Sequence, residues 1–200
     1  NQEPKTSLTE QEAFSNLENI APTVDGLYTA FRDSKSGREG LTFSLLGLDE
    51  SKQGIVQMDD AAQASLDLYN GLLNSMSTQV DKMWSRRWPI VISAANAIYA
   101  LDVLSETTQD EDTLDRIKRL KGESCFIRAM VMMELTMYWG EIPVVDIAKM
   151  ENSARQPLEK VWKQIFDDFT FASTSLKEKY TESGDKTRAT SGAAYAMLGK

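Results

Sequence analysis

Few residues in this chain could do chemistry. Cys125 is the only cysteine among 200 residues, and there is no histidine. A thiol nucleophile needs an electropositive, partly exposed setting or an imidazole to take its proton. Cys125 instead lies within "GESCFIRAMVMMELTMYWGEIPVV", residues 122–145, among apolar neighbours, and reads as a small buried hydrophobe. The missing histidines also remove the commonest general base and the commonest transition-metal ligand. Carboxylate chemistry is what remains. Asp167 and Asp168 are adjacent on a helical pattern and so point in different directions, which argues against joint acid–base work. No acidic spacing of the calcium-loop kind occurs. No catalytic residue, metal-ligand set or cofactor motif is assigned.

Other residues have a binding reading beside a structural one. Arg128 and Glu134 sit on a helix that reads as apolar on two sides, where charges are rarely left unpaired. An arginine there could hold a ligand, but an internal ion pair or helix-cap contact is the favoured expectation. Trp84, Trp88, Trp139 and Trp162 could stack on sugar rings. All four fall on buried stripes or helix ends, so core packing is expected. Tyr69, in the least regular part of the chain, is a freer aromatic and the one candidate for ligand contact.

Composition narrows the classes further. With 42% apolar and 26% charged residues the chain reads as a soluble globular protein. A net charge of −8 gives no footprint for nucleic acid or an anionic lipid surface. One cysteine cannot form an internal disulfide. Glu123, Arg128 and Glu134 interrupt the apolar run of residues 122–145, which excludes it as a membrane span. No signal peptide is visible at Asn1. The helical pattern in "TSGAAYAMLGK" stops at Lys200 without a clear cap, and a fragment is expected.

The elements that must position these residues are helical. Thr9 and Glu12 have capping-box spacing, predicting a helix from about residue 10 that Pro22 interrupts, with a new helix starting there. Val24, Leu27, Tyr28 and Phe31 share one face. Residues 41–82 are irregular: Leu41, Phe43 and Leu45 alternate like a short strand, "GLDESKQG" is a loop, and a short helix is expected over 61–74. Trp84, Trp88, Val91, Ala95 and Ile98 form a sustained stripe, with a kink or fresh helix at Pro89. "SETTQDEDTLD" reads as an acidic linker. Leu114 begins a helix that runs to Trp139. It presents Phe126, Ala129, Met130, Met133 and Met137 on one face and Ile127, Val131, Leu135 and Tyr138 on another. Val161, Ile165, Phe169 and Ala172 align on the next helix, and the last starts near Thr190. These patterns amount to an acidic, all-helical domain with no visible catalytic machinery.

An ordered set of short signatures resembles the SusD/RagB family of outer-membrane nutrient-binding lipoproteins. "NQEPKTSLTEQEAF" looks like the family's segment after its lipidated cysteine, and "VDGLYTAFRD" like its first tyrosine-bearing helix. "MWSRRWPIVISAANAI" is similar to a W-x3-Y-x2-I-x4-N pattern, with Trp84, Val91 and Asn96 in place and Trp88 where tyrosine is usual. The stretch from Gly122 to Val145 is close to G-E-x2-F-L-R-A…Y-G-D-[IV]-P-[LV], through Gly122, Glu123, Phe126, Arg128, Tyr138, Gly140 and Pro143. "RQPLEKVWKQIFDDFTFASTSL", beginning at Arg155, and "TRATSGAAYAMLGK" resemble the two family segments that follow. The match runs from about residue 3 to residue 200 in the family's order.

The resemblance implies an all-α scaffold of helix pairs like tetratricopeptide (TPR) repeats, with irregular loops building the ligand site. Residues 1–200 would be the N-terminal part of a single SusD-like domain, with a loop region at about 33–78 and the rest absent. It further implies a non-enzymatic, cell-surface protein on the outer membrane, tethered by an N-terminal lipid outside this chain. Such a protein would bind glycans or other nutrients and pass them to a SusC-like TonB-dependent transporter. No cofactor and no nucleic acid are expected. These signature residues would be scaffold, leaving Tyr69 as the candidate contact. The alternative is an intracellular TPR-like adaptor that binds peptides in a helical groove.

Overall fold

The computed structural model describes residues 16–36, 46–51, 61–147, 154–181 and 187–200. Six helices occur among them: α1 (Leu17–Lys35), α2 (Ala61–Leu68), α3 (Thr78–Thr107), α4 (Glu111–Trp139), α5 (Leu158–Ser175) and α6 (Ser191–Leu198). No strand occurs among the described residues; the one β-bridge joins Pro143 and Arg155. The all-α expectation is met. The predicted helix start near residue 10 and the alternating Leu41, Phe43 and Leu45 lie outside the described residues.

The chain forms two compact units, one of residues 1–28 and 90–200, the other of 29–89. In the first, Leu17, Ile20 and Val24 of α1 pack with Ala97, Ala100, Leu101 and Leu104 of α3 and with Ile117 and Leu120 of α4. Burying a side chain of leucine or isoleucine size stabilises by about 1.5–3 kcal/mol, so this cluster anchors the three helices. α4 then packs on α5, and α5 on α6. Val161, Ile165, Phe169 and Ala172 are buried, as their spacing predicts. Phe126 of α4 lies against Ala172, Leu176, Ala189 and Ala194 and meets Phe169 edge-on at 5.8 Å.

Helix ends follow local chemistry. The Asp110 carboxylate accepts from the Thr113 backbone N–H at 2.9 Å and from its hydroxyl at 2.5 Å, starting α4; these donors hold its carboxyl below the usual range. Thr190 caps α6 by accepting from Ala193 N–H at 3.2 Å. At Gly140 φ is +71° and the N–H donates to Thr136 O, a backbone turn suited to glycine. The chain then returns so that Gln156 N–H donates to Ile142 O at 3.0 Å beside the Pro143–Arg155 bridge.

Three expectations are corrected. Pro22 starts no new helix: α1 begins at Leu17, where the Asn16 side chain accepts from Glu18 N–H at 2.9 Å, and runs through it. Proline costs one hydrogen bond there, to the Glu18 carbonyl, while buried Val24 and Leu27 beyond it hold the helix. Of the two readings at Pro89, no fresh helix starts there: α3 runs through it, with Ile90, Val91 and Ala94 buried just beyond the proline. The acidic linker shrinks to residues 108–110, because Glu111 and Asp112 join the first turn of α4, where acidic groups suit the helix dipole. α3 is long and apolar enough to cross a bilayer by length and composition, but half of that stretch is buried inside the protein, as in a core helix.

Candidate functional site

In the second unit, α2 stops at Leu68 rather than near residue 74. Tyr69 takes a left-handed φ of 47°, which ends the helix, since a non-glycine residue there cannot continue it. Asn70 and Asn74 then build two successive turns. Leu72 N–H donates to the Asn70 side chain at 3.0 Å, and Met76 N–H to that of Asn74 at 2.8 Å. Short polar side chains that bind the backbone two residues on favour such turns. The Asn70-Gly71 pair was the local signal for this early stop.

These turns set Tyr69 in the open. It is 69% exposed, and its hydroxyl donates to Gly47 O at 3.1 Å. Gly47 has φ +82°, and a Cβ there would lie 2.5 Å from the tyrosine oxygen and 2.8 Å from Leu66 O. Glycine is therefore required for the loop to approach the phenol. The hydroxyl is tied down and the ring is presented. Leu48, Leu68, Leu72 and Met76 are exposed in the same unit. Periodicity could not identify them, because they lie in turns or at a helix end. Trp84 and Trp88 on α3 stack at 5.0 Å and 16°, and all four tryptophans are half-buried, between the core packing expected of them and an open sugar platform.

In the first unit Gly122, Glu123 and Arg128 lie at contacts between helices. Gly122 lets α4 approach the end of α5: a Cβ there would be 3.0 Å from Ser175 Cβ and 3.3 Å from Leu176 Cδ2. Glu123, whose side chain is 0% exposed, accepts from Arg119 Nη1 at 3.1 Å and from Arg188 Nη1 at 2.7 Å. Arg188 Nη2 donates to Asp25 of α1 at 2.7 Å, and its guanidinium lies 5.8 Å from the Tyr28 ring centre. The Tyr28 oxygen accepts from Ala189 N–H at 3.0 Å. Burial, followed by the neighbouring Glu123 charge, pushes the Tyr28 and Tyr180 hydroxyls above the ordinary tyrosine range. Asp25, Arg119 and Arg188 were not singled out from sequence; a glutamate on a buried helix face was the available hint that cations must meet it.

Arg128 holds the second pair. Its Nε and Nη2 donate to the two Asp168 oxygens at 2.7 and 2.6 Å, and Gln164 Nε2 donates to Asp168 Oδ1 at 3.0 Å. The expected internal ion pair is present. Asp167 faces solvent and pairs with Lys163 at 2.6 Å, so the two aspartates diverge as predicted. Cys125 is buried, and desolvation pushes its thiol pKa up, away from the reactive thiolate. Asn96 and Arg155 are exposed. Two apolar assignments on α4 fail: Met137 is 70% and Tyr138 49% exposed, both in the last turn of the helix. Tyr138 meets Trp139 edge-on at 6.0 Å. Among the described residues no group of three metal-ligating side chains comes together.

Comparison with known proteins places this arrangement. A SusD-like family model, described as starch-binding and associating with the outer membrane, matches residues 4–200. Similar solved structures include a SusD-like protein from Bacteroides fragilis NCTC 9343 (23% identity, TM-score 0.71, 92% of this chain and 34% of that one). A laminarin-binding SusD-like protein superposes with TM-score 0.75 at 20% identity, over 92% of this chain and 39% of its own. Surface glycan-binding protein A from Bacteroides fluxus gives 0.73 at 20%, with the same coverage. The chain thus spans between a third and two-fifths of the length of these structures. No curated protein sequence matches it. On the match over residues 4–200, the chain belongs to the SusD-like family.

Proposed function

We propose that the chain serves in a cell-surface protein that captures oligosaccharide and delivers it to a SusC-like TonB-dependent transporter. On this reading the protein is lipid-anchored to the outer membrane and is not an enzyme. The observation that carries it is the family match over residues 4–200, with its description of starch binding and outer-membrane association. Fold neighbours named for laminarin and surface-glycan binding support a glycan as the ligand class. A buried Cys125 and the lack of any histidine fit binding better than turnover.

Tyr69 is the contact proposed for the ligand. Its ring is exposed while its hydroxyl is held by Gly47, which lowers the entropy lost when a sugar ring stacks on it. The test is calorimetry on the full-length protein with malto- and laminari-oligosaccharides, with chromatography of the ligand afterwards. Expected are binding, a loss of about tenfold in affinity for Tyr69→Ala, and unchanged ligand. Absence of binding to any oligosaccharide, or release of shorter products, overturns the proposal.

A further inference from the structure

Within the first unit a cavity of about 360 Å³ opens between α3, α4, α5 and the segment after the Gly140 turn. Tyr99 and Asp102 line it from α3, Arg128 from α4, Gln164 from α5, and Val145 and Asp146 from the returning segment. Its size is at the small end of ligand pockets. It contains none of the residues of the Tyr69 loop.

The polar groups in its wall are matched in charge but not saturated in hydrogen bonds. Arg128 spends Nε and Nη2 on Asp168, and Asp102 receives Lys121 Nζ at 2.5 Å through Oδ1. Gln164 gives Nε2 to Asp168. Among the described residues this leaves Arg128 Nη1, Gln164 Oε1 and Asp102 Oδ2 without a bond. Two acceptors and a donor thus stand together, with an aromatic ring, Tyr99, 38% exposed at the rim.

An anion fits poorly, because the arginine in the wall is already neutralised by Asp168, and Asp102 and Lys121 offset each other in the same way. A zwitterion fits no better, since its carboxylate needs that same arginine. A hydroxyl both donates and accepts, so a ring bearing several hydroxyls can give to Asp102 and Gln164 while taking from Arg128. Its C–H face can rest on Tyr99.

The geometry points to this cavity as a site for one neutral polyhydroxylated ring, a single hexose residue, separate from the Tyr69 loop. The ligand class follows from the groups in the cavity wall, so the site can fail while the oligosaccharide reading holds, and the reverse.

Saturation-transfer NMR titrations of the full-length protein with D-glucose, D-galactose and D-mannose test it, with D-glucuronate and L-alanine as charged comparisons. The expected result is saturable binding of at least one neutral hexose, and weaker or no binding of glucuronate and alanine. Asp102→Asn and Tyr99→Ala are each expected to weaken that hexose about tenfold, while Tyr69→Ala leaves it unchanged. Oligosaccharide affinity measured by calorimetry reports on the loop separately. The site is overturned if no hexose saturates, if both cavity variants bind as the parent does, or if glucuronate or alanine binds at least as tightly. The ligand ranking on the parent protein needs no variant and stands even where a substitution disturbs folding.

Discussion

Arg188 Nη1 lies 2.7 Å from Glu123 Oε2, joining two residues 65 positions apart in sequence. The same guanidinium reaches Asp25, so one arginine ahead of α6 ties α4 to α1. Glu123 has no exposed side-chain surface and holds Arg119 with its other oxygen. A carboxylate removed from water costs several kcal/mol unless paired and hydrogen-bonded. Here both oxygens are satisfied, and the pairing fixes which helices meet.

Glu123→Ala leaves Arg119 and Arg188 facing each other across a void without their anion. Breaking a buried pair by removing one partner costs about 3–5 kcal/mol. Urea unfolding should show a loss of that order in the full-length protein. Arg188→Ala should cost less, because Arg119 still faces the carboxylate. Equal losses for the two variants would show that Glu123 is not the centre of the network.

The Arg128–Asp168 pair gives a different signature. Its bidentate geometry matches a planar fork to a carboxylate, which lysine cannot reproduce. Arg128→Lys should therefore destabilise by about 1–3 kcal/mol. The double variant Arg128→Met/Asp168→Leu should lose less than the sum of Arg128→Met and Asp168→Leu, since no lone charge remains buried. Additive losses in a double-mutant cycle would mean the two groups do not depend on each other.

What was legible in the sequence was the local, periodic part. The stripe Val161, Ile165, Phe169 and Ala172 needs only a 3.6-residue period to be read, and all four are buried. Thr190 needs only its own side chain to cap α6. Pro22, and the fresh helix offered as one alternative at Pro89, misled because a propensity penalty was weighed without the burial around each proline, which outweighs it. Arg119 stands four residues before Glu123 and was within reach of helical spacing, but Arg188 meets Glu123 across 65 residues and Asp25 across 163, and no spacing rule encodes such contacts. Tyr69 was identified as a free aromatic, but the φ +82° at Gly47 that holds it could not be read from a loop of mixed composition.

Gly122→Ala sets two effects against each other. Alanine is favoured over glycine within a helix by about 1 kcal/mol. The new methyl, however, falls 3.0 Å from Ser175 Cβ and 3.3 Å from Leu176 Cδ2, and overpacking costs about 1–3 kcal/mol. Ser175 is at the end of α5 and can shift only by moving that helix, so a net loss of about 1 kcal/mol is expected. Adding Ser175→Gly should recover it. A thermal melt showing Gly122→Ala more stable than the parent would rule out the close approach of α4 and α5.

Alkaline pH should unfold the protein in a defined order. Burial raises the pKa of Cys125, and burial with the Glu123 charge raises those of Tyr28 and Tyr180. In the unfolded chain a thiol loses its proton near pH 8.5 and a tyrosine near pH 10. Above those values the unfolded state binds fewer protons than the folded one, so stability is fully present below them and falls as pH rises. Each group adds a slope of about 1.4 kcal/mol per pH unit. Stability from urea curves should start to fall near pH 9 and steepen past pH 10. Cys125→Ala should remove the earlier phase, and Tyr28→Phe should reduce the later slope while also losing the Ala189 contact. Because the thiol is both buried and protonated, a thiol-specific reagent should modify it only in urea. Rapid labelling of the folded protein, or a pH profile that Cys125→Ala leaves unchanged, would refute its buried, protonated state.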